Sequence, residues 1–287
     1  MNGIRHYLLA LQFFTRVPVT GRLAQWVGFS PQMLRASAAH FPGVGWIVGV
    51  LGATVFFVVE RGLPGAGGAW VAAVLSTIAT VLLTGAFHED GLADVADGLG
   101  GSADRSRALE IMKDSRIGAF GAIALVLALG LKFALLAMLA GGGGGGGGAA
   151  AAAAGGDERG ASVALSAIVV AHVLSRLAPL FLIRWMPYVG DSGASKSKPL
   201  ADAIANGALG IGILWAVPAV ALLAWVQGGS ATVAALATCI VATAVMARLF
   251  WRRLQGFTGD GLGATQQVCE LAIYLALAFA MTPAALR

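Results

Sequence analysis

The chain has 287 residues, 58% of them hydrophobic and 11% charged, and a formal net charge of +5. A soluble domain carries about 25% charged residues, and disorder requires low hydrophobicity, so neither class fits. What remains is a polytopic membrane protein solvated mainly by lipid, with 41 glycines that suit close helix packing in a bilayer.

The first segment, MNGIRHYLLALQFFTRVPV, has one Arg before its apolar stretch and no small-residue cleavage site, so it reads as no cleavable signal. Leu8 to Phe14 is expected to lie as a short amphipathic segment at the membrane interface. Seven later stretches approach the roughly 20 apolar residues that a membrane crossing takes. They run over about 41–59, 69–87, 117–139, 161–183, 203–226, 231–247 and 267–286. The expected fold is all-α: a single integral membrane domain over 1–287, a helix bundle with about seven transmembrane helices.

The distribution of Lys and Arg tests this count independently. Segments 1–40, 88–116, 184–202 and 248–266 hold 14 of the 19 basic residues, and the opposite side holds only Arg61, Arg159 and Arg287. That asymmetry predicts a cytoplasmic amino terminus and makes the net charge a topology signal. No basic patch on a soluble face is apparent, so a nucleic-acid partner is not expected. Lys132, Arg176 and Glu270 fall within spans. Lys132, near the outer end of its span, is expected to snorkel. Arg176 lies toward the inner side and needs an anionic partner. The run 141–156, GGGGGGGGAAAAAAGG, is expected on the outer side as a flexible loop without chemistry. Cys239 and Cys269 sit in apolar runs and read as packing residues. There is no convincing internal repeat of the kind transporters show.

Seven of the 14 acidic residues lie between Glu89 and Asp114. Asp90, Asp94 and Asp97 stand at i, i+4 and i+7, within about 60° of one another on a helix. Such crowding raises each carboxyl's pKa, and a hard divalent cation, Mg²⁺ or Mn²⁺, relieves it. A solvated acidic helix end is the alternative, but such faces usually mix in Lys at i+4, and no Lys or Arg occurs from His88 through Ala103. His88 is either an interfacial hydrogen bonder or a functional group beside the cluster. The run Glu110–Gly118 opens the third span. There Asp114 or Ser115 can cap the helix, and Arg116 can grip a phosphate in bidentate fashion. The run Gly256–Ala264, with Thr258 and Asp260, reads either as a glycine-rich turn or as a place of close backbone approach with an added ligand. Topology brings all these elements to one membrane face, where cation, Arg and glycines suit phosphoryl transfer.

On these residues the chain resembles the cobalamin synthase family of adenosylcobinamide-GDP ribazoletransferases. The resemblance is carried by Phe13–Pro18, Phe41–Gly43, the HxDGLADxxDG-like run His88–Gly98, Glu110–Gly118, Ser175–Arg176 and Thr258–Ala264. It implies a bacterial inner-membrane enzyme, multi-pass with its active site on the cytoplasmic side. Such an enzyme joins adenosylcobinamide-GDP to α-ribazole or α-ribazole 5′-phosphate, releases GMP and needs Mg²⁺. It further implies Asp90, Asp94 and Asp97 as metal ligands, and His88 or a stripe carboxylate (Asp90 or Asp94) as the proton acceptor. Asp114, Arg116, Arg176, Thr258 and Asp260 are then substrate contacts. A CDP-alcohol phosphotransferase acting on lipids is the rival of similar chemistry, but its DxxDGxxAR signature is unmatched. A cation-coupled transporter is the rival of another class, yet the acidic stripe lies at a span end, away from the midplane where transporters bind. Cobalamin with GMP, phospholipid with CMP, or uptake without covalent change separates the three.

Overall fold

Apolar runs of this length become helices because lipid offers no partner to a backbone N–H or C=O. The computed structural model describes residues 2–64, 66–141, 156–190, 204 and 206–281. Among them seven helical runs are long and apolar enough to cross a membrane. In chain order α1 (Asn2–Phe14), α2 (Gly21–Val27) and α3 (Pro31–Ser37) lead through a 3-10 turn, Ala38–His40, into α4 (Phe41–Gly62). Next come α5 (Ala66–Thr84), α6 (Phe87–Gly101), α7 (Arg105–Ile111) and α8 (Ala119–Leu139). The last four are α9 (Gly156–Trp185), α10 (Asn206–Gln227), α11 (Gly229–Leu254) and α12 (Gly259–Met281).

The seven long runs match the seven stretches expected, with informative differences at their ends. The first run begins at Pro31 instead of about 41. Ser30 Oγ accepts from Met33 N at 3.1 Å with Pro31 in the first turn, which starts a helix early and feeds it into α4. The second ends at Thr84, because Gly85 and Ala86 both take positive φ, 68° and 59°. That turn splits α5 from α6, so the acidic run forms a helix of its own. The amphipathic lead-in extends from Asn2 to Phe14 and buries Leu9, Ala10, Leu11 and Phe14 against the bundle. Of the expected loop 141–156, residues 142–155 lie outside the described residues.

The central helix is α9, which packs against α4, α8, α10, α11 and α12. Small residues on α4 let it approach. A Cβ on Gly45 would stand 2.9 Å from Val173 Cα, and one on Gly49 2.9 Å from Val169 Cα. Phe56, Leu136, Ile168, Leu223 and Tyr274 bring five helices into one core cluster. Cys239 and Cys269 are free thiols.

One expectation is overturned inside this core. Lys132 does not snorkel: it is 3% exposed, and its Nζ lies 2.6 Å from Glu270 Oε1 on α12. The same carboxylate accepts from Gln266 Nε2 at 2.7 Å and from Tyr274 OH at 3.2 Å, while His172 Nδ1 on α9 stands 3.5 Å away. A buried ion needs this many partners because its hydration has been stripped away. Single charges in apolar spans of opposite sign, Lys132 and Glu270, are the signal that could have paired them.

Candidate active site

The acidic run occupies α6, at the end of the bundle where α5 stops, α8 begins, and α11 turns into α12. Side chains tie these connections together. Arg105 Nε donates to Leu254 O at 2.6 Å, and Arg253 donates to Leu99 O and Ser102 O at 3.1 and 2.6 Å. A bridge pairs Tyr188 with Phe257. Distant stretches of sequence therefore share one surface.

Glycine decides how closely α6 and α12 approach. A Cβ on Gly91 would stand 2.7 Å from Asp260 O, so only glycine lets the backbone of Asp260 lie beside Asp90. Thr258 sets where α12 starts. It is buried, and its Oγ1 accepts from Gly261 N at 3.1 Å. Thr258 is thus a helix cap, with its hydroxyl turned to the backbone. Asp260 follows it, partly buried, facing the α6 stripe.

Along α6, Asp90 is exposed, Asp94 half-buried and Asp97 buried. Burial, then the charges of Asp260, Asp90 and Asp97, push the Asp94 carboxyl up to about 7. Four carboxylates from two helices thus crowd one another, as the spacing predicted for three. Asp97 carries a further duty. Its Oδ2 accepts from Gly118 N and its Oδ1 from Gly121 N, both at 2.8 Å. The cap of α8 therefore comes from Asp97 on another helix, where Asp114 or Ser115 was expected to supply it. A carboxylate at a helix amino terminus satisfies free N–H groups and meets the positive end of the helix dipole.

Asp114 instead binds Arg116. Arg116 Nη2 donates to Asp114 Oδ2 at 2.6 Å, and its Nε donates to Oδ1 at 3.0 Å. The guanidinium and the Arg116 backbone N–H hold the Asp114 carboxyl down to about 2, so the clasp stays ionised at any working pH. Asp97, Arg107, Glu110, Asp114 and Arg116 line a cavity of about 540 Å³ at the far end of the stripe. Two guanidiniums stand in this lining, Arg107 paired with Glu110 and Arg116 with Asp114, and a phosphate-bearing ligand would compete with those carboxylates for them.

Two residues expected at this site face elsewhere. His88 stands about 160° round the helix from Asp90. It is 1% exposed and stacks on Phe41 with ring centroids 5.6 Å apart. Burial, then the neighbouring Arg176 charge, holds its imidazole well below the usual range, so it is neutral. Arg176 is 2% exposed and lies behind His88, where its Nη1 meets His172 Nδ1 and donates to His172 O, each at 3.0 Å. Its guanidinium carbon lies 5.7 Å from the Phe41 ring. Glu89 belongs to this inner set as well, its Oε1 accepting from Gln267 Nε2 at 3.0 Å, and Gln267 Nε2 reaches Gln266 Oε1 at 3.1 Å. The chain Glu89–Gln267–Gln266–Glu270 links the back of α6 to the buried ion pair. No single-residue pattern in the sequence marks Gln266 or Gln267.

Among the described residues, no group of three or more His, Cys, Asp or Glu side chains is arranged to hold a metal ion unaided. The chemistry of the donors nevertheless fits one kind of ion. Asp90, Asp94 and Asp260 present only oxygen, and burial together with the neighbouring carboxylate charges raises Asp94. Mg²⁺ is usually held by one or two carboxylates together with substrate phosphates and water, so a complete protein cage is not required.

A family model described as cobalamin-5-phosphate synthase matches residues 6–278. The chain is similar to the adenosylcobinamide-GDP ribazoletransferase of Albidiferax ferrireducens, with 57% identity over 96% of this chain and 98% of that relative. The protein of that name from Polaromonas sp. is 56% identical, over 97% of this chain and 98% of the relative. That from Leptothrix cholodnii is 46% identical, over 96% and 95%. No solved structure matches the chain significantly.

Proposed function

The chain belongs to the cobalamin-5-phosphate synthase family, and on that premise we propose that it joins adenosylcobinamide-GDP to α-ribazole or α-ribazole 5′-phosphate with Mg²⁺. It is a transferase of cobalamin biosynthesis. The observation that carries the finer reading is the meeting of the α6 acids with Asp260 on one side and the Arg107–Arg116 cavity on the other.

The diphosphate sits across that junction. The cavity around Arg116 receives the guanosine side, with Arg107 and Arg116 on the phosphate oxygens. Asp90, Asp94 and Asp260 would hold the cation, and Asp97 fixes α8 against α6 by accepting from Gly118 N and Gly121 N. Bound Mg²⁺ supplies charge neutralisation on the diphosphate and a better leaving group. The ribazole hydroxyl attacks the phosphorus carrying the cobinamide, the bridging P–O bond breaks, and GMP departs. A stripe carboxylate takes the hydroxyl proton. His88 and Arg176 act from behind the stripe by packing on Phe41 and holding α6 to α9. The chain works as one integral membrane domain. The basic-residue asymmetry supports a cytoplasmic amino terminus and a cytoplasmic site in the bacterial inner membrane.

The test is GMP release by purified protein given both substrates. We expect one GMP per cobalamin product, loss of activity in EDTA, and recovery on adding Mg²⁺. Undiminished release in EDTA would remove the cation from the reaction; absence of GMP release under all conditions would remove the reaction itself.

A further inference from the structure

A second cavity, of about 830 Å³, opens at the other end of α6, between α1, the α2–α3 segment and Phe87. Its walls are apolar and aromatic: Leu9, Phe13, Phe29, Leu34 and Phe87. Phe13 and Phe87 meet edge to face, with centroids 5.9 Å apart. Phe29 is 70% exposed, so much of its ring is left uncovered. One cation, Arg16, stands in this wall.

The backbone places Arg16 closely. Its N–H donates to Leu83 O at 2.7 Å, which pins it to the end of α5. Its guanidinium crosses Gly85, where any Cβ would collide with Arg16 Nε. Gly85 also needs its positive φ to turn the chain into α6. Arg16 is exposed, and among the described residues no carboxylate pairs with it. Phe87 begins the helical stripe that continues through Asp90 and Asp94, all within about 60° round α6. A ligand against Phe87 therefore lies one turn from the acids.

Aromatic walls, one unpaired cation and adjacency to the reacting end define the ligand: a flat heterocycle on a sugar that carries a phosphate. Resting on the reaction proposed above, we propose that this cavity is the acceptor subsite, with the ribazole base against Phe13, Phe29 and Phe87 and its 5′-phosphate on Arg16. The two cavities then hold the two substrates at opposite ends of the acidic stripe. Arg16 is the residue that selects the phosphorylated acceptor over the free nucleoside.

The test measures acceptor binding to the full chain in detergent by equilibrium dialysis, without turnover. Loss of a charged hydrogen bond in Arg16→Met should weaken α-ribazole 5′-phosphate binding about 20-fold and leave unphosphorylated α-ribazole within about threefold. Phe29→Ala, at an exposed position that tolerates truncation, should weaken both acceptors about equally. Turnover adds a second readout: Arg16→Met raises KM for the phosphorylated acceptor and leaves KM for adenosylcobinamide-GDP unchanged. Equal weakening of both acceptors by Arg16→Met, an effect on the GDP substrate, or no effect on binding overturns the subsite. The last result, with activity made dependent on anionic lipid, would assign Arg16 to a lipid headgroup. Arg16-dependent acceptor binding without any GMP release would uphold the subsite and overturn the reaction.

Discussion

Glu270 shows how much a single residue settles in this bundle. Its carboxylate gathers Lys132, Gln266 and Tyr274 in a medium that strips hydration from every charge. Removing one partner of a buried pair leaves the other uncompensated, which costs about 3–5 kcal/mol. Glu270→Gln should therefore lower thermal stability in detergent by about that amount, and Lys132→Met combined with it should recover a large part. A melting curve for each variant checks this; equal stability of Glu270→Gln and the parent would mean the pair contributes nothing. The sequence held one cue to the Lys132 partner, the opposite charges of Lys132 and Glu270 in two apolar spans, but not their contact. Position near a span end suggests snorkelling, and only the packing of α8 on α12 reveals a carboxylate within reach. The acidic stripe, by contrast, was legible, because its spacing alone puts Asp90 and Asp94 on one helical face. The inward turn of His88 follows from the same helical period, once the stripe is taken as the outward face.

At the scale of elements, the join between α6 and α12 shapes the proposed site. Gly91 makes it possible by leaving room for Asp260 O. Overpacking a close backbone contact costs about 1–3 kcal/mol, so Gly91→Ala should destabilise by that amount and depress GMP release further by pushing Asp260 from Asp90. Gly130→Ala on α8, where a new Cβ meets nothing within 4 Å, is the control and should change neither. Comparing turnover after correcting for folded fraction separates the two effects; equal turnover of the two variants would deny Gly91 its role. Helix number was readable from apolar length, and helix ends much less so. The break between α5 and α6 depends on two consecutive positive-φ residues, one of them Ala86, which no propensity rule favours. The cap of α8 by Asp97 joins residues 21 and 24 positions apart, and local capping patterns look only one turn ahead.

Across the whole molecule, seven long apolar runs bring the N-terminal helices, α6, α7 and the α11–α12 turn to one end. The excess of Lys and Arg on the alternate segments supports the proposal that this end faces the cytoplasm. A reporter fused to the amino terminus that matures only in the cytoplasm should be active, and one fused there that matures only outside should be silent; the reverse pattern would invert the bundle. A cytoplasmic site would suit the proposed release of GMP, which would then return to the cytoplasm directly.

Asp90 and Asp260 come from helices far apart in sequence, and the mechanism proposed above would need them on one cation. The most direct measurement is a double-mutant cycle on the Mg²⁺ concentration for half-maximal GMP release, using Asp90→Asn, Asp260→Asn and the pair. If both carboxylates serve the same ion, each single variant requires more Mg²⁺ and the double variant departs from additivity by about 0.5–3 kcal/mol. Effects that add within about 0.5 kcal/mol, or an unchanged Mg²⁺ requirement in Asp90→Asn, would contradict it.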